Sequence, residues 1–179
     1  TVGGWGVVTA DAIARDGVLD LVDLSDDLMS KLSALLPPRW SRNNPIDCAG
    51  GETRDTVIEI MDIVAAHDSI DAVIFLGIGI QSNQAKMMRS GGFYPDHGLE
   101  RIVSYHEKQD ERYALTAREV ASKYGKPILI ATELAVADPE NAGPAAVRES
   151  GAYCYPTGAR AASSLAHLYE YAKYRGIAQ

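Results

Sequence analysis

Ala72-Val73-Ile74-Phe75-Leu76 is an unbroken apolar run that ends in Gly77-Ile78-Gly79. A strand with no polar side chain on either face must be buried on both. A parallel sheet covered by helices provides that burial; a half-solvated antiparallel sheet does not. Ile128-Leu129-Ile130-Ala131, set just after Gly125-Lys126-Pro127, repeats the pattern. Amphipathic stretches separate such runs, which predicts βαβ units: an α/β chain built as a doubly wound, three-layer parallel sheet.

The remaining elements follow from periodicity and punctuation. Gly3-Gly4-Trp5-Gly6 opens a helix over about 7–16 that Gly17 ends. A short strand is predicted over Leu19–Leu24, then a helix capped by Ser25 and stopped by Pro37-Pro38. Residues 39–51 read as a loop. Val57, Ile58, Ile60, Met61 and Val64 recur at helical spacing within 53–66. Beyond Gly79 a helix is expected over 83–89, a loop over 91–98 and a long helix over 99–124. The chain closes with a helix over 141–150, a strand over 152–155 and a helix over 159–174 capped by Thr157. In a doubly wound sheet the strand feeding Gly3-Gly4 lies before it. The first strand is therefore expected to be truncated and the edge beside Leu19–Leu24 poorly completed, while the strand order is not readable from these residues. One domain is expected over 1–179, as a piece of a larger chain.

Composition excludes several functions. A chain of 179 residues with a net charge of −7 offers no basic surface for nucleic acid or an anionic membrane. No apolar run reaches the length of a membrane span. Its two cysteines, Cys48 and Cys154, form neither a CxxC nor a metal spacing, and no signal peptide is visible, so a cytoplasmic location is expected. None of the four histidines has a metal-type partner, so no metal site is expected here. His97 is the only one in a loop.

Three loops are candidate sites, because ligands of open α/β sheets bind beyond the carboxyl ends of the strands. Gly77-Ile78-Gly79-Ile80-Gln81 joins a buried strand to a helix start, where free N–H groups and the helix dipole suit a phosphate; a tight turn needing positive φ uses the same glycines. Gly3 and Gly4 form either a second cradle or a close helix–sheet contact. Asn44, in Asn43-Asn44-Pro45-Ile46-Asp47, binds either a ligand or its own loop backbone.

The order of these motifs resembles one family. TVGGWGVVTADA, a helix ending LPP, then NPID and DAVIFLGIGI are similar to the NDP-forming acyl-CoA synthetases, relatives of succinyl-CoA synthetase. The matching part is their flavodoxin-like ligase-CoA domain, which corresponds to the C-terminal domain of the succinyl-CoA synthetase β subunit. The resemblance implies that Gly77–Gln81 is one of the helix starts facing a phosphohistidine. It also implies that Asn44 lies near acyl or phosphate substrate, and that Gly3 and Gly4 flank the same cleft. The phosphorylated histidine belongs to a CoA-binding, phosphohistidine domain, and the nucleotide to an ATP-grasp domain. CoA, ADP/ATP or GDP/GTP and Mg2+ are thus cofactors of the full enzyme, and none is expected on this domain alone. Phosphate or acyl phosphate is the expected ligand, and an oligomer the expected assembly. The stretch from Gln81 to Gly125 is longer than the family's usual single helix. The competing readings are a catalytically silent, regulatory synthetase-like domain of a protein acyltransferase fusion, and a generic binder of a flavin or nucleotide.

Overall fold

A computed structural model describes residues 3–51 and 53–177. Helix α1 (Gly3–Asp16) begins at the glycines themselves, and α2 (Asp26–Leu35) follows its cap, the Ser25 hydroxyl accepting from the Leu28 N–H at 3.3 Å. After the proline-broken loop come α3 (Thr56–Ala66), β1 (Val73–Leu76), α4 (Ile80–Arg89) and the long α5 (Leu99–Tyr124). The chain ends with β2 (Ile128–Ala131), the single turn α6 (Leu134–Ala137), α7 (Ala142–Glu149), β3 (Cys154–Tyr155) and α8 (Gly158–Tyr174).

The three strands form one parallel sheet in the order β1-β2-β3, with Val73 opposite Ile128 and Ile130 opposite Cys154. This is the α/β parallel-sheet class that the apolar runs imply, and it is consistent with the flavodoxin-like fold that the resemblance implies. Successive side chains of a strand point to opposite faces. Ile74, Leu76 and Leu129 pack toward Ala161 and Leu165 of α8, against which α1 lies. Phase-shifted by one, Phe75 and Ile130 pack with Val57 and Met61 of α3, Tyr113 and Ala117 of α5 and Val147 of α7. A separate cluster seats α2, through the fully buried Leu28 and Leu32, on Trp40, Cys48, Val64 and Ile70.

Two expectations are corrected. Leu19–Leu24 is not a strand: among the described residues no strand pairs with it. A groove of about 1130 Å³ separates it from β1 instead, which is the incomplete edge expected there. The helix after β1 starts at Ile80 rather than residue 83, because Gly79, at φ 91°, already turns the chain into it. Among the described residues no helix is long and apolar enough to cross a membrane.

Candidate functional site

The carboxyl ends of the strands collect the starts of α4, α7 and α8, the arrangement expected of a doubly wound sheet. At the centre is the turn from β1 into α4. Its Gly77 and Gly79 have φ of 89° and 91°, a region that only glycine enters readily. The Gly77 N–H donates to the Ala131 carbonyl at 3.1 Å, tying the turn to β2.

The anion at this helix start is the protein's own. Asp110 of α5, 1 % exposed, accepts from the Gly79 N–H at 3.0 Å and from the Ser82 N–H and hydroxyl at 2.7 Å each. Glycine has no side chain with which to cap α4, so a carboxylate from a distant helix satisfies its donors and meets the positive end of its dipole. Burial raises the Asp110 pKa; its three hydrogen bonds and the nearby His106 oppose that shift without cancelling it. His106, one turn before Asp110 on α5, pairs its Nδ1 with Gln81 Oε1, so Gln81 is also engaged. Ile78 is fully buried.

Helix α7 closes the turn from another side. Asn141 caps α7, its Oδ1 accepting from the Gly143 N–H at 3.0 Å, while its Nδ2 donates to the Gly79 carbonyl at 3.1 Å. A Cβ on Gly143 would lie 2.5 Å from the Gly79 nitrogen, and one on Gly79 would lie 2.7 Å from Asn141 Oδ1. The two glycines therefore interlock backbone against backbone.

The other two loops meet each other. A Cβ on Gly3 would stand 2.3 Å from Asp47 Oδ2, and one on Gly6 2.9 Å from Pro45. The Pro45–Asp47 segment thus lies flat against the first turn of α1, with Asp47 at its positive end. Gly4 is exposed and has nothing within 4 Å of an added Cβ. Asn44 donates from Nδ2 to the Val22 carbonyl at 3.0 Å, which ties the loop to the segment before α2, and Asp47 Oδ1 accepts from the Ala49 N–H at 3.0 Å within the loop itself. His97 and Cys48 do not join the α4 site. His97 stands in its loop at φ 55° against Phe93, and Cys48 is in the core. The Cys154 thiol is pushed up to about 11 by burial and is protonated at neutral pH. Among the described residues no group of three or more His, Cys, Asp or Glu is placed to hold a metal ion.

Asp110 is absent from the loop-by-loop sequence reading because it lies 31 positions from Gly79. One signal does mark it: it falls on the buried stripe of α5 that runs through Val103, Tyr113, Ala117 and Val120. A carboxylate on an apolar stripe requires a partner.

Fold and site together define an α/β domain in which a buried carboxylate, Asp110, meets the start of α4 at the carboxyl end of a parallel sheet. Residues 1–80 match the family described as the Ligase-CoA domain, which supports the resemblance to a succinyl-CoA synthetase-like ligase-CoA domain. The match runs through β1 and its glycine turn to the first residue of α4; Gln81 and Asp110 lie beyond it. That match points to ligase-type enzymes of the acyl-CoA synthetase kind. No curated protein matches the chain.

Proposed function

We propose that this chain is the ligase-CoA domain of an NDP-forming acyl-CoA synthetase, and that the start of α4 is where it meets a phosphoryl group. The observation that carries this reading is the family match over 1–80, which ends on the turn where Gly79 and Ser82 direct N–H groups at an anion. A group arriving there shares or displaces the Asp110 carboxylate. The chain's own contribution is electrostatic: backbone donors and the α4 dipole, with no lysine or arginine in the Gly77–Ser82 turn. The phosphorylated histidine, CoA, nucleotide and Mg2+ belong to partner domains in this reading. The domain spans 1–179 and works within an oligomeric, cytoplasmic enzyme.

Chemical-shift mapping of the labelled chain with acetyl phosphate tests it. Weak, saturable shifts centred on Gly77–Ser82 and on Gly3–Gly4 are expected. Shifts confined to His97 or Cys48 would refute it.

A second reading has one observation in its favour. A buried carboxylate seated on the α4 donors suits a synthetase-like domain that has given up phosphoryl transfer for a regulatory role, as in acyltransferase fusions. Under that reading the wild-type turn gives no response to acetyl phosphate at any concentration.

A further inference from the structure

A second groove, of about 1030 Å³, runs between α3 and α5 on the face of the sheet opposite α8. Two ion pairs cross it, Arg112 to Asp55 at 2.6 Å and Lys123 to Asp62 at 2.7 Å, so the two helices run side by side in the same direction. The stretch of α5 between these pairs is about 16 Å long at the rise of an α-helix. The floor is aliphatic: Ile58 and Ile63 of α3, with Val120 and the 46 % exposed Leu115 of α5. The rim is acidic. Glu59, Glu111 and Glu119 line it with no ion-pair partner among the described residues, and Lys108 is the one basic side chain on it outside the two pairs.

The end of α8 has the complementary chemistry. None of its residues after Ala166 is buried, so its last two turns are left largely to solvent. Tyr171 and Tyr174 are 56 % and 85 % exposed, and Ile177, just past the helix, is exposed as well. Cations stand beside the rings. The Arg175 guanidinium is 5.8 Å from the Tyr171 ring centre and donates to its hydroxyl at 3.0 Å, and the Lys173 ammonium is 5.3 Å from the Tyr169 ring centre. Glu170 is the one acidic residue between Ala166 and Ile177.

We propose that the α3–α5 groove receives the end of α8 from a second copy of this chain. The tyrosines lie on the aliphatic floor, and Lys173 and Arg175 meet the glutamates of the rim. The sizes agree, since α8 beyond Ala166 is about 12 Å long. A helix suits this floor better than an extended segment, because the groove has no free strand edge and a helix pairs its own backbone groups. A chain does not fill its own groove, because α8 packs on one face of the sheet and α3 and α5 on the other. The contact joins unlike surfaces, so it is head-to-tail and either propagates or closes into a ring.

Sedimentation equilibrium of the chain from about 1 µM to about 1 mM tests this. A mass above that of the monomer is expected, rising with concentration and falling at high salt. Folded Glu111→Lys, Glu119→Lys and Lys173→Glu, Arg175→Glu variants are each expected to associate at least about tenfold more weakly. Mixed together, the two variants are expected to pair, because every contact between them again joins opposite charges. A chain that stays monomeric throughout overturns the proposal. So does association that either variant retains in full, which would place the contact on another surface, or a mixture in which the two variants stay apart. None of these readouts involves Gly77–Ser82, so the outcome stands apart from the acetyl phosphate test.

Discussion

Burial removes the Asp110 carboxylate from water and raises its pKa, against the pull of Gly79, Ser82 and His106. Between the unfolded value of about 4 and the raised folded value, the folded chain keeps a proton that the unfolded chain has released. The Asp110 contribution to stability therefore falls as pH rises through that window and is level above it. Asp62, lowered chiefly by its hydrogen bond from Lys123, acts in the opposite sense, with stability lost as pH falls. The quantity to read is thus the difference between wild type and Asp110→Asn in urea unfolding. That difference is expected to shift in favour of the variant as pH rises from about 4. Asp110→Ala is the harsher change. It leaves the Gly79 and Ser82 N–H groups and the Ser82 hydroxyl without their acceptor, and is expected to cost about 3 kcal/mol at pH 7. A loss below about 0.5 kcal/mol would mean that water replaces the carboxylate without penalty.

The α4–α7 contact rests on two facing glycines, so a methyl group has different consequences at different glycines. Gly143→Ala places a Cβ 2.5 Å from the Gly79 nitrogen and is expected to destabilise by about 3 kcal/mol, since the obstacle is backbone. Gly4→Ala meets nothing in the first turn of α1 and is expected to be neutral or stabilising by about 0.5 kcal/mol. Thermal unfolding of the two variants checks both; equal effects would contradict the interlock. The elements themselves were legible to different degrees. The expected bounds of α5 and β2 coincide with the observed Leu99–Tyr124 and Ile128–Ala131, because Gly98, Gly125 and Pro127 punctuate them. Leu19–Leu24 has strand composition, yet a strand also needs a neighbour, which local sequence does not supply. The turn α6 is four residues long, too short for a periodic signal. At the site, the Gly77–Gly79 turn was readable as local chemistry. Its pairing with Asp110, Asn141 and Gly143 was not, since those partners lie 31 to 64 positions from Gly79 in sequence.

As a whole molecule, the chain brings helix starts to one edge of a sheet but carries no histidine in a glycine-rich loop of the phosphohistidine type. On its own it is expected to form no acyl-CoA from ATP, CoA and a panel of short carboxylic acids, and to take no label from γ-labelled ATP. An acid-labile phosphate on any of its four histidines would contradict the division of labour proposed here. The account turns on one claim, that the start of α4 is an anion site already holding Asp110. Phosphate titrations of wild type and Asp110→Asn, followed at the Gly79 and Ser82 amides, test it most directly. Removing a buried negative charge that faces the incoming anion is expected to tighten phosphate binding at these amides by about tenfold or more. If both proteins fold and neither shows a response at Gly79 or Ser82, or if their affinities are equal, the turn is a structural junction and the claim fails.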